Sequence, residues 1–177
     1  MKRSDVPVFA IFDFIYLVTA CLLAKLLGDM ILTVTDRFVP VTFHGGAIIS
    51  VISVSVLSLA IVGVLTFRDG YRYASFDFVN SLLSAGIAAA VQFLLGLATH
   101  FWPIFFGPTR HLAGLISFGG FYNTATRIKQ IPFGALAVVG LVVMLVYVAF
   151  IVFMGYIGCR MRLRDRKKTL GTDEASI

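Results

Sequence analysis

The chain has 177 residues, of which 59% are hydrophobic and 14% charged, with a net charge of +6 and a mean hydropathy of +0.94. That leaves too little polar surface to solvate a water-soluble domain of this size, so the composition indicates an integral membrane protein. The positive excess is concentrated in RMRLRDRKK at 160–168, directly after an apolar segment. Such a run reads as a topology signal in contact with anionic lipid headgroups rather than as a nucleic-acid surface.

A hydrocarbon core about 30 Å thick needs roughly 20 apolar residues in helix. Four stretches qualify, at about 6–34, 46–67, 78–106 and 133–159. They are long, continuous and rich in Leu, Ala and Val, which fits helices and not alternating strands. The predicted fold is an all-α bundle of four transmembrane helices, one domain over 1–160, with a short basic tail at 161–177 expected to be disordered. With both termini on one side, that side carries Lys2, Arg3, Arg68, Arg72 and the six cations from Arg160 to Lys168, ten in all. The opposite side carries four: Arg37, Arg110, Arg127 and Lys129. This asymmetry predicts cytoplasmic termini and a plasma-membrane location.

In the first helix, LLAKLLGDMIL at 22–32 holds Lys25 and Asp29 four residues apart, on one face and one turn from each other. A charge at mid-membrane costs about 2.5–3.5 kcal/mol on insertion scales, so mutual pairing or an aqueous cavity is expected. Lys25 can also snorkel towards the outer headgroups. Asp13, nearer the cytoplasmic boundary, is expected to be half immersed. MKR followed by an apolar run, with VTAC at 18–21, loosely matches a lipoprotein signal. Asp13 interrupts that would-be signal core, and the residues after Cys21 continue as an oily helix, which argues against cleavage.

The second helix has serines at 50, 53, 55 and 58, on more than one face, read as packing residues. In the third, Asp77, Ser81, Ser84, Ala88, Gln92, Gly96 and Thr99 recur at spacings of 4, 3, 4, 4, 4 and 3. This small-and-polar stripe is expected to turn inward, because small residues let backbones approach and polar ones bond across helices. Helices one and three run in the same direction, and aligning their centres gives a depth offset of 70. Lys25 then lies level with Leu95, and Asp29 with Thr99 and His100. Lys25, Asp29, Gln92 and His100 therefore form a candidate polar cluster, read as a packing network, alternatively as a proton or ion relay, or as lipid-facing positions at the interface.

Between helices three and four lies GPTRHLAGLISFGGFYNTATRIKQIP, whose apolar middle is too short to span and is broken by Gly119-Gly120. It reads as an interfacial segment or as a re-entrant vestibule, flanked by Arg110, His111, Arg127 and Lys129, that would attract an anionic ligand. Helix four is nearly featureless, with Tyr156 fitting an interfacial anchor, as do Trp102 and Tyr122 at the other surface. Cys21 and Cys159 give no disulfide framework or metal spacing. P-loop, HExxH and GxSxG motifs are absent, and no cofactor is indicated. His100 and His111 are not spaced to ligate haem or metal.

Three functions are compatible with this pattern. The first is a small non-enzymatic membrane subunit or accessory protein, packing through the helix-three stripe against itself or a larger membrane complex. The second is an oligomeric transporter or channel using Lys25, Asp29, Gln92 and His100. The third is a lipid-modifying enzyme at the outer surface, with His111 or His100 as base, for which no nucleophile or metal motif exists.

Overall fold

In hydrocarbon the backbone must satisfy its own hydrogen bonds, so long apolar runs without breakers fold as continuous helix. The computed structural model describes residues 5–38, 43–73, 76–99, 109, 112 and 133–174. Four long helices carry the architecture: α1 (Val6–Phe38), α2 (Phe43–Tyr73), α3 (Phe78–Thr99) and α4 (Phe133–Glu174). All four are long and apolar enough to cross a membrane.

The helix ends follow local chemistry. Pro7 sits in the first turn of α1, where its missing N–H removes no intrahelical bond. Asp77 caps α3: its Oδ1 accepts from the Val79 and Asn80 amides at 3.0 and 3.3 Å, and its backbone carbonyl accepts from Ser81 N at 2.9 Å. Asp77 is therefore a cap and not part of the polar stripe. Residues 100–106, expected as the end of helix three, lie outside the described residues.

Three helices run further than the hydropathy pattern predicts, α1 among them, which continues past Val34 to Phe38. α2 continues past Phe67 to Tyr73, and α4 continues past Cys159 to Glu174, so the disordered tail expected at 161–177 is helical up to Glu174. The apolar window stops at the first charges, but Arg, Lys, Met and Leu are good helix formers, and nothing ends a helix at the membrane surface. The extension is also held: the Tyr71 hydroxyl donates to Asp165 Oδ2 at 3.0 Å, and the Arg162 guanidinium lies 5.4 Å from the centre of the Tyr71 ring. Arg160 stacks on Tyr156 at 5.4 Å.

Each helix packs against two others, in the ring order α1–α2–α4–α3. Neighbours in sequence are not always neighbours in space, since α2 and α3 face each other across a diagonal. α1 and α3 run parallel in a register of 71, as Asp13–Ser84 and Cys21–Gln92 show. α2 and α4 are parallel too, and approach most closely at glycines. A Cβ on Gly158 would stand 2.8 Å from Tyr71 N and still closer to the Phe67 carbonyl oxygen, and one on Gly70 would run into the Gly155 carbonyl. Only glycine lets the two backbones meet there. The core is made of small and branched residues, among them Ala20, Val62, Ala85, Ala88 and Ile151.

Candidate polar sites in the bundle

The third-helix stripe turns inward, as its period requires. Ser84, Ala88, Gln92 and Gly96 are buried. Gln92 Nε2 donates to Cys21 Sγ at 3.8 Å across the α1–α3 contact. Because this face is covered by the chain's own helices, it is not available to a partner.

Lys25 and Asp29 pair as their spacing predicts, Nζ to Oδ2 at 2.7 Å. Their direction differs from the expected cluster. Both point out of the bundle, with side chains 40% and 54% exposed, while Gln92, at 1%, points in. The structure therefore does not bring Gln92 to the ion pair. Rotation about the helix axis separates them, and depth alone carries no information on rotation. Thr33 Oγ1 and Thr35 Oγ1 near the pair donate back to the Asp29 and Ile31 carbonyls at 2.8 and 2.7 Å, leaving α1 regular there. His100, Arg110, His111, Arg127 and Lys129, with the vestibule they flank, lie outside the described residues.

A second polar site, at the end of the bundle where α1 begins and α4 passes into its basic segment, was not assembled from the sequence. The Ser84 hydroxyl donates to Asp13 Oδ2 at 2.5 Å, and the Tyr16 hydroxyl donates to Asp69 Oδ2 at 2.6 Å. Arg68 Nε lies 3.7 Å from Asp69 Oδ1. Between these groups is a cavity of about 70 Å³, lined on its polar side by Asp13, Asp69, Thr66, Ser81 and Ser84. Phe9 and Tyr73, packed edge to face at 5.4 Å, form part of its wall. Such a volume holds several waters. The signal for Asp13–Ser84 lay in the depth register. Asp69 stands beyond the apolar window, in FRDGYRY, and the sequence pattern does not single it out.

In the core, Ser58 donates to the Ser55 carbonyl at 3.1 Å and lies 2.5 Å from the Tyr147 hydroxyl, which donates to it. Cys21 and Cys159 are buried and not joined in a disulfide. Among the described residues, no group of three or more His, Cys, Asp or Glu side chains converges as a metal site. Chemically, the bundle offers an outward ion pair in one half and a carboxylate–hydroxyl pocket with room for water in the other. Comparison with protein-family models, with curated proteins and with solved structures finds no match to this chain.

Proposed function

We propose that this chain is a small non-enzymatic membrane subunit, a four-helix body that assembles with other membrane protein through the outer face of α1. The observation that carries this reading is the Lys25–Asp29 pair, which faces away from the bundle within a segment long and apolar enough to span the bilayer. Ionisable groups in membrane helices usually face a protein interior or an aqueous cavity, because hydrocarbon solvates neither charge. An outward pair therefore points to a partner that covers it. The ten-to-four distribution of Lys and Arg supports cytoplasmic termini and a plasma-membrane location. The exposed cations Arg164, Arg166 and Lys167 on the α4 extension suit anionic headgroups on that side. The segment at 107–132 then lies at the outer surface, as an interfacial or re-entrant loop.

The test compares the size of the native complex for the wild-type chain and for Lys25→Met combined with Asp29→Leu, in mild detergent. The wild type should run as a complex larger than one chain, and the double substitution should release a folded monomer. A wild-type chain that is monomeric, or a complex unchanged by the substitution, overturns the reading.

A second reading, a proton pathway, is favoured by the cavity between Asp13 and Asp69. It moves the acting residues from Lys25, Asp29, Gln92 and His100 to Asp13, Asp69, Tyr16 and Ser84. Proteoliposomes should then show proton flux that Asp13→Asn and Asp69→Asn each abolish, and equal flux in all three proteins rejects it.

A further inference from the structure

The outer face of α1 has an order that names its occupant. Ile15, Val18, Leu22, Lys25, Asp29 and Leu32 recur at spacings of 3, 4, 3, 4 and 3, the 3.5-residue period of a seam between two helices in a left-handed pair. Ile15, Leu22 and Asp29 are exposed, and Val18, Lys25 and Leu32 are half-buried at the flank of the bundle. The small residues of the same helix, Ala20, Ala24 and Gly28, are buried against the chain's own helices. Outside remain this stripe and the apolar side chains beside it, among them Leu23, Leu26, Leu27, Met30 and Ile31, so the upper half presents one ion pair within an apolar surface.

We infer that this stripe is the interface of a parallel homodimer, in which Lys25 and Asp29 of one copy interleave with Lys25 and Asp29 of the second. The inference rests on the subunit reading above and specifies the partner. Two copies inserted with the same orientation can meet only about an axis along the membrane normal, so equivalent residues meet at the same depth. At that depth the face carries one cation and one anion, a turn apart and 2.7 Å from each other. Equal depth sets Lys25 level with Lys25 and Asp29 with Asp29, but the two-fold axis reverses left and right, so each Asp29 lies diagonally across from the second copy's Lys25, and each charge has one opposite partner within its chain and one across the seam. The quartet has no net charge and is removed from lipid. A partner bearing a single charge would leave the face unbalanced, whereas a second copy supplies both signs at the required depth.

The test uses energy transfer between donor- and acceptor-labelled full-length chains in phosphatidylethanolamine–phosphatidylglycerol vesicles. Wild-type chains should associate. Lys25→Asp alone and Asp29→Lys alone should each lower self-association by about tenfold or more, since each homodimer would carry four like charges. A mixture of Lys25→Asp chains with Asp29→Lys chains should recover transfer, because only a seam pairing the two copies restores opposite charges. The exchange Lys25→Asp with Asp29→Lys in one chain keeps both internal and crossing pairs. It should associate like the wild type, which separates a lost interface from a misfolded chain. Absence of wild-type transfer, or a mixture no better than either variant alone, overturns the homodimer. If the native complex still collapses on Lys25→Met with Asp29→Leu while wild-type chains show no transfer, the homodimer fails and the subunit reading stands. If neither is seen, both fail.

Discussion

The two parallel helix pairs of the bundle are held in different ways. α1 and α3 meet through side chains, with Asp13 bonded to Ser84 and Cys21 to Gln92 in one register of 71. α2 and α4 meet most closely through backbone, at Gly70, Gly155 and Gly158, with hydroxyl contacts between Ser58 and Tyr147 and between Tyr71 and Asp165. A polar contact across a membrane interface contributes on average about 0.6 kcal/mol, because the separated helices also find partners. A backbone contact tolerates no added atom. The glycine pair should therefore be the more fragile to substitution, although its residues are the less conspicuous.

Gly158→Leu tests that difference most severely. Its side chain has no room against Phe67 and Tyr71, so α2 and α4 must separate, and reversible unfolding in detergent micelles should show a loss of about 3 kcal/mol. Gly86, in the interior of α3, is the control, since a Cβ there meets nothing within 4 Å. Gly86→Ala should stabilise by about 0.5–1 kcal/mol. If both changes destabilise equally, helix flexibility and not close approach explains the glycines.

Ser84→Ala probes the polar pair at its short contact. It takes from Asp13 the hydroxyl at 2.5 Å and should reduce stability by about 1.5 kcal/mol in the same assay, the low end of the range for a bond to a charged acceptor. Tyr147→Phe should have a smaller effect, about 0.6 kcal/mol, because Ser58 keeps its bond to the Ser55 carbonyl. A larger loss from Tyr147→Phe than from Ser84→Ala would reverse the order of the two helix pairs.

The same contrast explains what could be read before the structure. Polar residues in an apolar helix stand out, so the inward stripe through Ser84 and Gln92, the Lys25–Asp29 pairing and the parallel depth of α1 and α3 followed from period and hydropathy. Glycines in a segment of Gly, Ala, Val and Leu carry no such contrast, and whether Gly155 and Gly158 face a neighbour depends on the ring order α1–α2–α4–α3, which loop lengths do not dictate. Asp69 was hidden for another reason. Hydropathy ends α2 at Phe67, whereas the helix continues to Tyr73 and turns Asp69 towards Tyr16 and the cavity. The outward direction of Lys25 and Asp29 could not be chosen over an inward one, because a helical period fixes which residues share a face but not which neighbour that face meets.

That pair gives the smallest expected effect on the stability of the single chain. An exposed ion pair contributes about 0–1 kcal/mol, and a pair in hydrocarbon loses much of its attraction to desolvation. Lys25→Met with Asp29→Leu should therefore leave the unfolding free energy of the detergent-solubilised monomer within about 0.5 kcal/mol of the wild type. Either change alone should be worse than both together, because it strands one charge on an apolar face. A double-mutant cycle measures this coupling directly. If the double substitution is instead as damaging as Gly158→Leu, the pair braces the fold from outside. The α1 face would then belong with the internal contacts, and the case for a partner on it would be lost.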